Sequence, residues 1–166
     1  MRTGIVGDSK FEYLQHLKVA RAVGIAEEKL QARGQPVRTS TGARTAIHPD
    51  DAAYARGQGA ELDDELQVGE KIGALVAVGV PGKSPGEVAF YWPERKLLIV
   101  GDAVVGNPPG RLSLLREKVM DDPARLRESV RRLLALDFDA LLVGDGVCVL
   151  HDAKQRLQEL VDTFPK

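Results

Sequence analysis

Two carboxylates in this chain stand where apolar runs end. Asp102 comes just after Lys96 to Val100 and Gly101, and Asp145 just after Ala140 to Val143 and Gly144. Polar residues at the ends of buried strands, on loops that a sheet holds still, are where sites are usually built. Such carboxylates offer oxygen ligands to a hard cation such as magnesium or manganese, or they move protons. His48 also closes a short apolar run, Thr45 to Ile47. His16 reads as a helix-surface residue and His151 as the start of a helix. The single cysteine, Cys148, has no histidine next to it in sequence and reads as a small core residue rather than a nucleophile. Gly106-Asn107-Pro108-Pro109-Gly110 is no phosphate loop, because its prolines lack the N–H donors that cradle phosphate.

The elements that must position these residues centre on Val80 to Gly106. Gly86 to Trp92 predicts a strand, Pro93-Glu94-Arg95 a turn, and Lys96 to Val100 a second strand buried on both faces. Upstream, Gly4-Ile5-Val6 reads as a short strand. Ser9-Lys10-Phe11-Glu12 fits a capping box opening a helix that carries Phe11, Leu14 and Leu17. Residues 33 to 44 are polar and rich in turn formers, and read as a mobile loop. Asp50 or Asp51 is expected to cap a short helix through Tyr54. Glu61 to Glu70 reads as acidic and exposed. Lys71 to Val80 reads as one strand, weakened by Gly73 and Gly79. Asp122-Pro123 is a strong helix start, with Leu126, Val130, Leu133 and Leu134 on one face and most of the arginines off it. Ala140 to Val143 is a buried strand. The last helix starts at His151 or Asp152 and offers Ala153, Leu157, Leu160, Val161 and Phe164 to the core.

With 166 residues, 43% of them apolar and 28% charged, the chain suits one soluble domain. A net charge of −1 gives no basic field to attract nucleic acid. The arginines of 125 to 132 alternate with acids and read as a solvated face. One cysteine excludes an intramolecular disulfide and suits a reducing cytoplasm. No apolar run approaches a membrane span, and no signal peptide is visible.

The Val80 to Gly106 stretch resembles the metallo-β-lactamase fold superfamily, which includes the hydroxyacylglutathione hydrolases. That family shows P-G-H-[ST]-P-G, two strands, G-D, and then G-H-G after another strand. The matching landmarks are Pro81-Gly82-Lys83-Ser84-Pro85-Gly86, Gly101-Asp102 and Gly144-Asp145-Gly146. The resemblance is good from about Ala43 onward, with residues 1–42 a divergent helical region of the same single domain, 1–166. It implies an α/β fold: a four-layer αββα sandwich with a reduced N-terminal sheet. Family domains usually carry several strands ahead of the first metal motif, and this chain begins near it. A homodimer in which the subunits cover each other is therefore expected, unless the chain's true start lies upstream.

The departures carry the functional reading. The family's H-x-H-x-D-H occurs nowhere, and context alone would put Asp8, Lys10, Glu12 and Tyr13 at its positions. Lys83 and Asp145 stand where the family has metal-binding histidines, and Asp102 where it has the bridging aspartate. Lys83, Asp102 and Asp145 should therefore converge as a degenerate site. Zinc favours histidine and cysteine ligands, which this set lacks. A charged Lys83 between the two carboxylates would relieve their repulsion without an ion. The expectation is a member without cofactor, zinc or hydrolase activity, serving as a binding or interaction module for a small molecule or protein of unread identity. The alternative is a metal-dependent hydrolase with one divalent ion on Asp102 and Asp145, aided by His48, Asp8, Glu12 or His16. A metal-free acid/base site using Lys83 also stands open.

Overall fold

The computed structural model describes residues 44–57 and 60–165. The chain has an α/β architecture with mixed sheets. The main sheet has five strands in sequential order: β3 (Lys71–Ile72), β4 (Leu75–Gly79), β5 (Val88–Trp92), β6 (Leu97–Gly101) and β7 (Ala140–Val143). All neighbours run antiparallel except β6 and β7, which are parallel. A parallel pair needs a long crossover, and helix α2 (Pro123–Leu133) lies within it. A second, two-stranded parallel sheet pairs β1 (Ala46–Ile47) with β2 (Asp64–Glu65) across helix α1 (Pro49–Gly57). Helix α3 (Ala153–Val161) closes the described chain.

Strand β6 has the sequence Leu-Leu-Ile-Val-Gly because both of its faces are covered. Side chains alternate across a strand. Leu98 and Val100 enter the main core, with Leu126, Val130 and Leu133 of α2 and Ala153, Leu157 and Leu160 of α3. Leu97 and Ile99 enter a smaller cluster with Leu142, flanked by Phe90 and Trp92. Cys148 packs against both clusters, in keeping with a small core residue.

Two expectations about elements need correction. Lys71 to Val80 is two strands, because Gly73 takes a positive φ of 61° and turns the chain into a β3–β4 hairpin. The acidic 61–70 segment is not exposed throughout. It contains β2, and Leu66 is buried. Pro93–Arg95 forms a turn of 3₁₀ helix, closed by Lys96 in the left-handed region. The start of α2 follows its sequence: Asp122 has extended backbone, its carboxylate accepts from the Arg125 N–H at 2.9 Å, and Pro123 sits at the first turn. Asp152 precedes α3 as expected, but with no side-chain cap. Its N–H donates instead to Asp139 Oδ1 at 2.8 Å.

Candidate functional site

The Pro81–Gly86 loop is pinned from two sides. On one side is α2. The Ser129 hydroxyl donates to the Pro81 carbonyl at 2.8 Å, and the Asp122 N–H donates to the Gly82 carbonyl at 2.8 Å. Gly82 lies so close to Leu126 that a Cβ would fall 2.4 Å from its backbone, and its φ of 144° disfavours any side chain. On the other side is α1. Asp51 accepts from the Ser84 hydroxyl at 2.6 Å and from the Gly86 N–H at 3.0 Å. The expected helix cap at Asp50 or Asp51 is thus, for Asp51, a tie between α1 and the loop. His48 packs against Gly86 beside it, and its Nδ1 accepts from the Asp50 N–H at 3.3 Å.

Held in this way, the loop directs Lys83 onto Asp102. The Lys83 ammonium donates to Asp102 Oδ2 in an ion pair. The lysine side chain is 15% exposed and the aspartate 37%, so water reaches the anion better than the cation. The third landmark closes over the same carboxylate. A Cβ at Gly144 would lie 2.5 Å from Asp102 Oδ1, so any side chain there would have to displace that carboxylate. The Gly144 N–H donates to the Gly101 carbonyl at 2.7 Å, and the Gly106 N–H to the Asp145 carbonyl at 2.9 Å. The backbones of Gly101-Asp102 and Gly144-Asp145-Gly146 therefore meet at the ends of β6 and β7. The convergence is incomplete in its side chains. Among the described residues, the Asp145 carboxylate makes no hydrogen bond and no ion pair, so Lys83 neutralises one carboxylate rather than two. Asp145 commits its backbone, not its charge, to the site.

Glu87, absent from the sequence-based set, joins this cluster. It sits between Gly86 and β5, and its Oε2 is buried without a hydrogen-bond partner. Burial pushes its carboxyl up to about 7, with the negative charges of Asp102 and Asp51 adding to the rise and Lys83 opposing it. One signal was available in the sequence: Glu87 is the only charged residue in the apolar run from Gly86 to Trp92. A charge in such a run either faces water or needs a partner.

Among the described residues, the side chains gathered here are not a set that fits zinc. The Lys83 ammonium holds the aspartate oxygen a cation would need, and a second positive charge there would be repelled. Among the described residues no three histidines, cysteines or acids are grouped to share an ion. Asp8, Lys10, Glu12, Tyr13 and His16 lie outside the described residues.

Comparison with known proteins agrees with this architecture. A DIM-1 metallo-beta-lactamase superposes with a TM-score of 0.60 over 76% of this chain and 59% of its own, at 15% identity, a likeness of fold. A protein crystallised in a di-iron-bound form gives a TM-score of 0.56 and 25% identity over 74% of this chain and 67% of its own. The sequence pattern of the metallo-beta-lactamase superfamily matches residues 8–164, and the chain belongs to that superfamily. Within it, the chain is similar to hydroxyacylglutathione hydrolases. That of Cereibacter sphaeroides is 30% identical over 127 residues, 72% of this chain and 42% of the relative. That of Fuscovulum blasticum is 28% identical over 116 residues, 64% of this chain and 41% of the relative. The chain thus spans less than half the length of these curated relatives. Among the described residues no helix is long and apolar enough to cross a membrane.

Proposed function

We propose that this chain uses the superfamily scaffold without its metal and serves as a binding or interaction module rather than a zinc hydrolase. One observation carries the reading: the half-buried ion pair between Lys83 and Asp102. A lysine ammonium on that carboxylate supplies the positive charge that an ion would supply, and it brings no open coordination position and no activated water. Glu87 and Asp51 complete a cluster in which one cation faces several acids. Such a cluster stabilises the loop as long as Lys83 stays charged and paired.

The test is metal content, by elemental analysis of protein purified without a metal-chelating tag. The native protein is expected to carry under about a tenth of an equivalent of zinc, manganese or iron, since occupied zinc sites normally copurify filled. Native mass on the same sample reads the expected homodimer. Near one equivalent of metal, with hydrolysis of a thioester or phosphoester substrate, overturns the proposal in favour of a carboxylate-rich hydrolase site.

A further inference from the structure

Helix α2 carries four arginines at 125, 127, 131 and 132, and they divide into two kinds. Arg127 is paired with Glu117. Arg131 lies 3.6 Å from Glu128, donates to the Pro165 carbonyl at 2.7 Å and stacks over Phe164. Arg125 and Arg132 have no carboxylate partner among the described residues. Both line one groove of about 550 Å³ between α2 and the end of β4. Its apolar lining includes Val78, Pro81 and Leu136, with Val68 beside them. Val68 is 56% exposed, a large apolar side chain left facing water beside the groove.

The placement of Arg132 is built rather than accidental. Its Nη2 donates to the Ser129 hydroxyl at 3.1 Å, and that hydroxyl donates onward to the Pro81 carbonyl at 2.8 Å. Ser129 is 1% exposed, so a buried hydroxyl ties one guanidinium to the groove's edge. Arg125, Ser129 and Arg132 stand at i, i+4 and i+7, on one face of the helix. Glu128 also borders the groove, but it is engaged by Arg131, which leaves the local charge positive. Guanidinium groups bind carboxylates through paired N–H donors, and an apolar cleft of this size suits a small ligand.

We propose that this groove binds a small amphiphilic carboxylate, with the acid on Arg125 and Arg132 and the hydrocarbon along Val78, Pro81 and Leu136. The site is separate from the Lys83–Asp102 pair and does not depend on whether that pair excludes metal.

Octanoate is the probe, titrated into the full-length protein by calorimetry, with octan-1-ol as the uncharged control. Octanoate is expected to bind saturably, and roughly tenfold more weakly to the Arg125→Ala/Arg132→Ala variant, the loss expected on removing a charge-assisted contact. Both arginines are on the exposed side of α2, so circular dichroism should show an unchanged fold. Val68→Asp, which places a like charge beside the ligand, should weaken octanoate more than octanol. The proposal is overturned if octanoate does not bind, if the double variant binds it as tightly as the native protein, or if octanol binds equally well.

Discussion

Helix α2 and the 81–87 loop touch along Leu126 and Ser129, yet they meet the cost of burial by different means. The buried face of α2 is Leu126, Val130 and Leu133, all at 1% exposure or less, with one serine whose hydroxyl is satisfied. The loop brings Lys83 and Glu87 against Asp51 of α1 and Asp102 after β6, and leaves Glu87 Oε2 with no partner. One side gains from apolar area removed from water, and its polar groups are matched. The other keeps a charge imbalance that a structural role alone does not require. Apolar burial sets the stability of the first region, and charge balance sets that of the second.

The contact between them is the place where the comparison breaks most readily. Gly82→Ala forces a Cβ into the Leu126 backbone at a φ of 144°. Neither partner can move without displacing the helix, so roughly 3–4 kcal/mol of stability should be lost. Chemical denaturation checks it. A loss below about 1 kcal/mol would mean that loop and helix are not rigidly joined.

Glu87→Gln tests the cost of the unmatched acid. The folded protein raises this carboxyl from its ordinary 4.5 to about 7, so it holds the proton to higher pH than the unfolded chain does. That contribution to stability is complete below about 4.5 and is lost as pH rises through about 7. The difference of about 2.5 units amounts to about 3 kcal/mol. Native protein should therefore weaken between pH 5 and 8, and Glu87→Gln should flatten the profile and be the more stable protein at pH 8. Parallel curves for the two proteins would remove Glu87 from the cluster.

Lys83→Met sharpens the same contrast from the other side. It strips Asp102 of its cation, but Asp102 is over a third exposed and water compensates in part. The expected loss at pH 8 is about 1–2 kcal/mol, between the values for exposed and buried pairs. Lys83 also restrains the rise at Glu87, so the variant's stability should begin to fall at the same pH, near the ordinary 4.5, but go on falling to a higher pH than the native protein's, readable as an upward-shifted midpoint. An unshifted midpoint would mean that Lys83 and Glu87 do not sense each other.

The two regions were unequally legible in the sequence. The α2 start at Asp122-Pro123, its apolar stripe and the doubly buried β6 follow from capping and periodicity, which act over a few residues. The landmarks around Lys83, Asp102 and Asp145 gave the family and the meeting of their loops. The loop's supports could not be read in this way. Asp51 reaches it from 33 residues away, across an element boundary, and no local pattern ties α1 to Ser84. Glu87 was visible as a charge in an apolar run, but the unmatched state of its Oε2 is a property of the packed protein. The missing hydrogen bond at the Asp145 carboxylate could not be read either, because a shared motif position leaves the rotamer free.

That last point yields the smallest effect, and the one that separates position from role. Asp145 holds a landmark position, and its backbone carbonyl accepts from Gly106, but its carboxylate is matched by nothing among the described residues. Asp145→Asn keeps the backbone contact and removes only the charge. Stability should change by less than about 0.5 kcal/mol, as for surface groups without partners, and the Glu87 midpoint should stay in place. Asp102→Asn in the same background removes the anion that Lys83 holds and should move both. If Asp145→Asn instead matched Asp102→Asn in size, Lys83 would be shared between the two carboxylates in solution, and the cluster would be the symmetric one that the landmark spacing suggested.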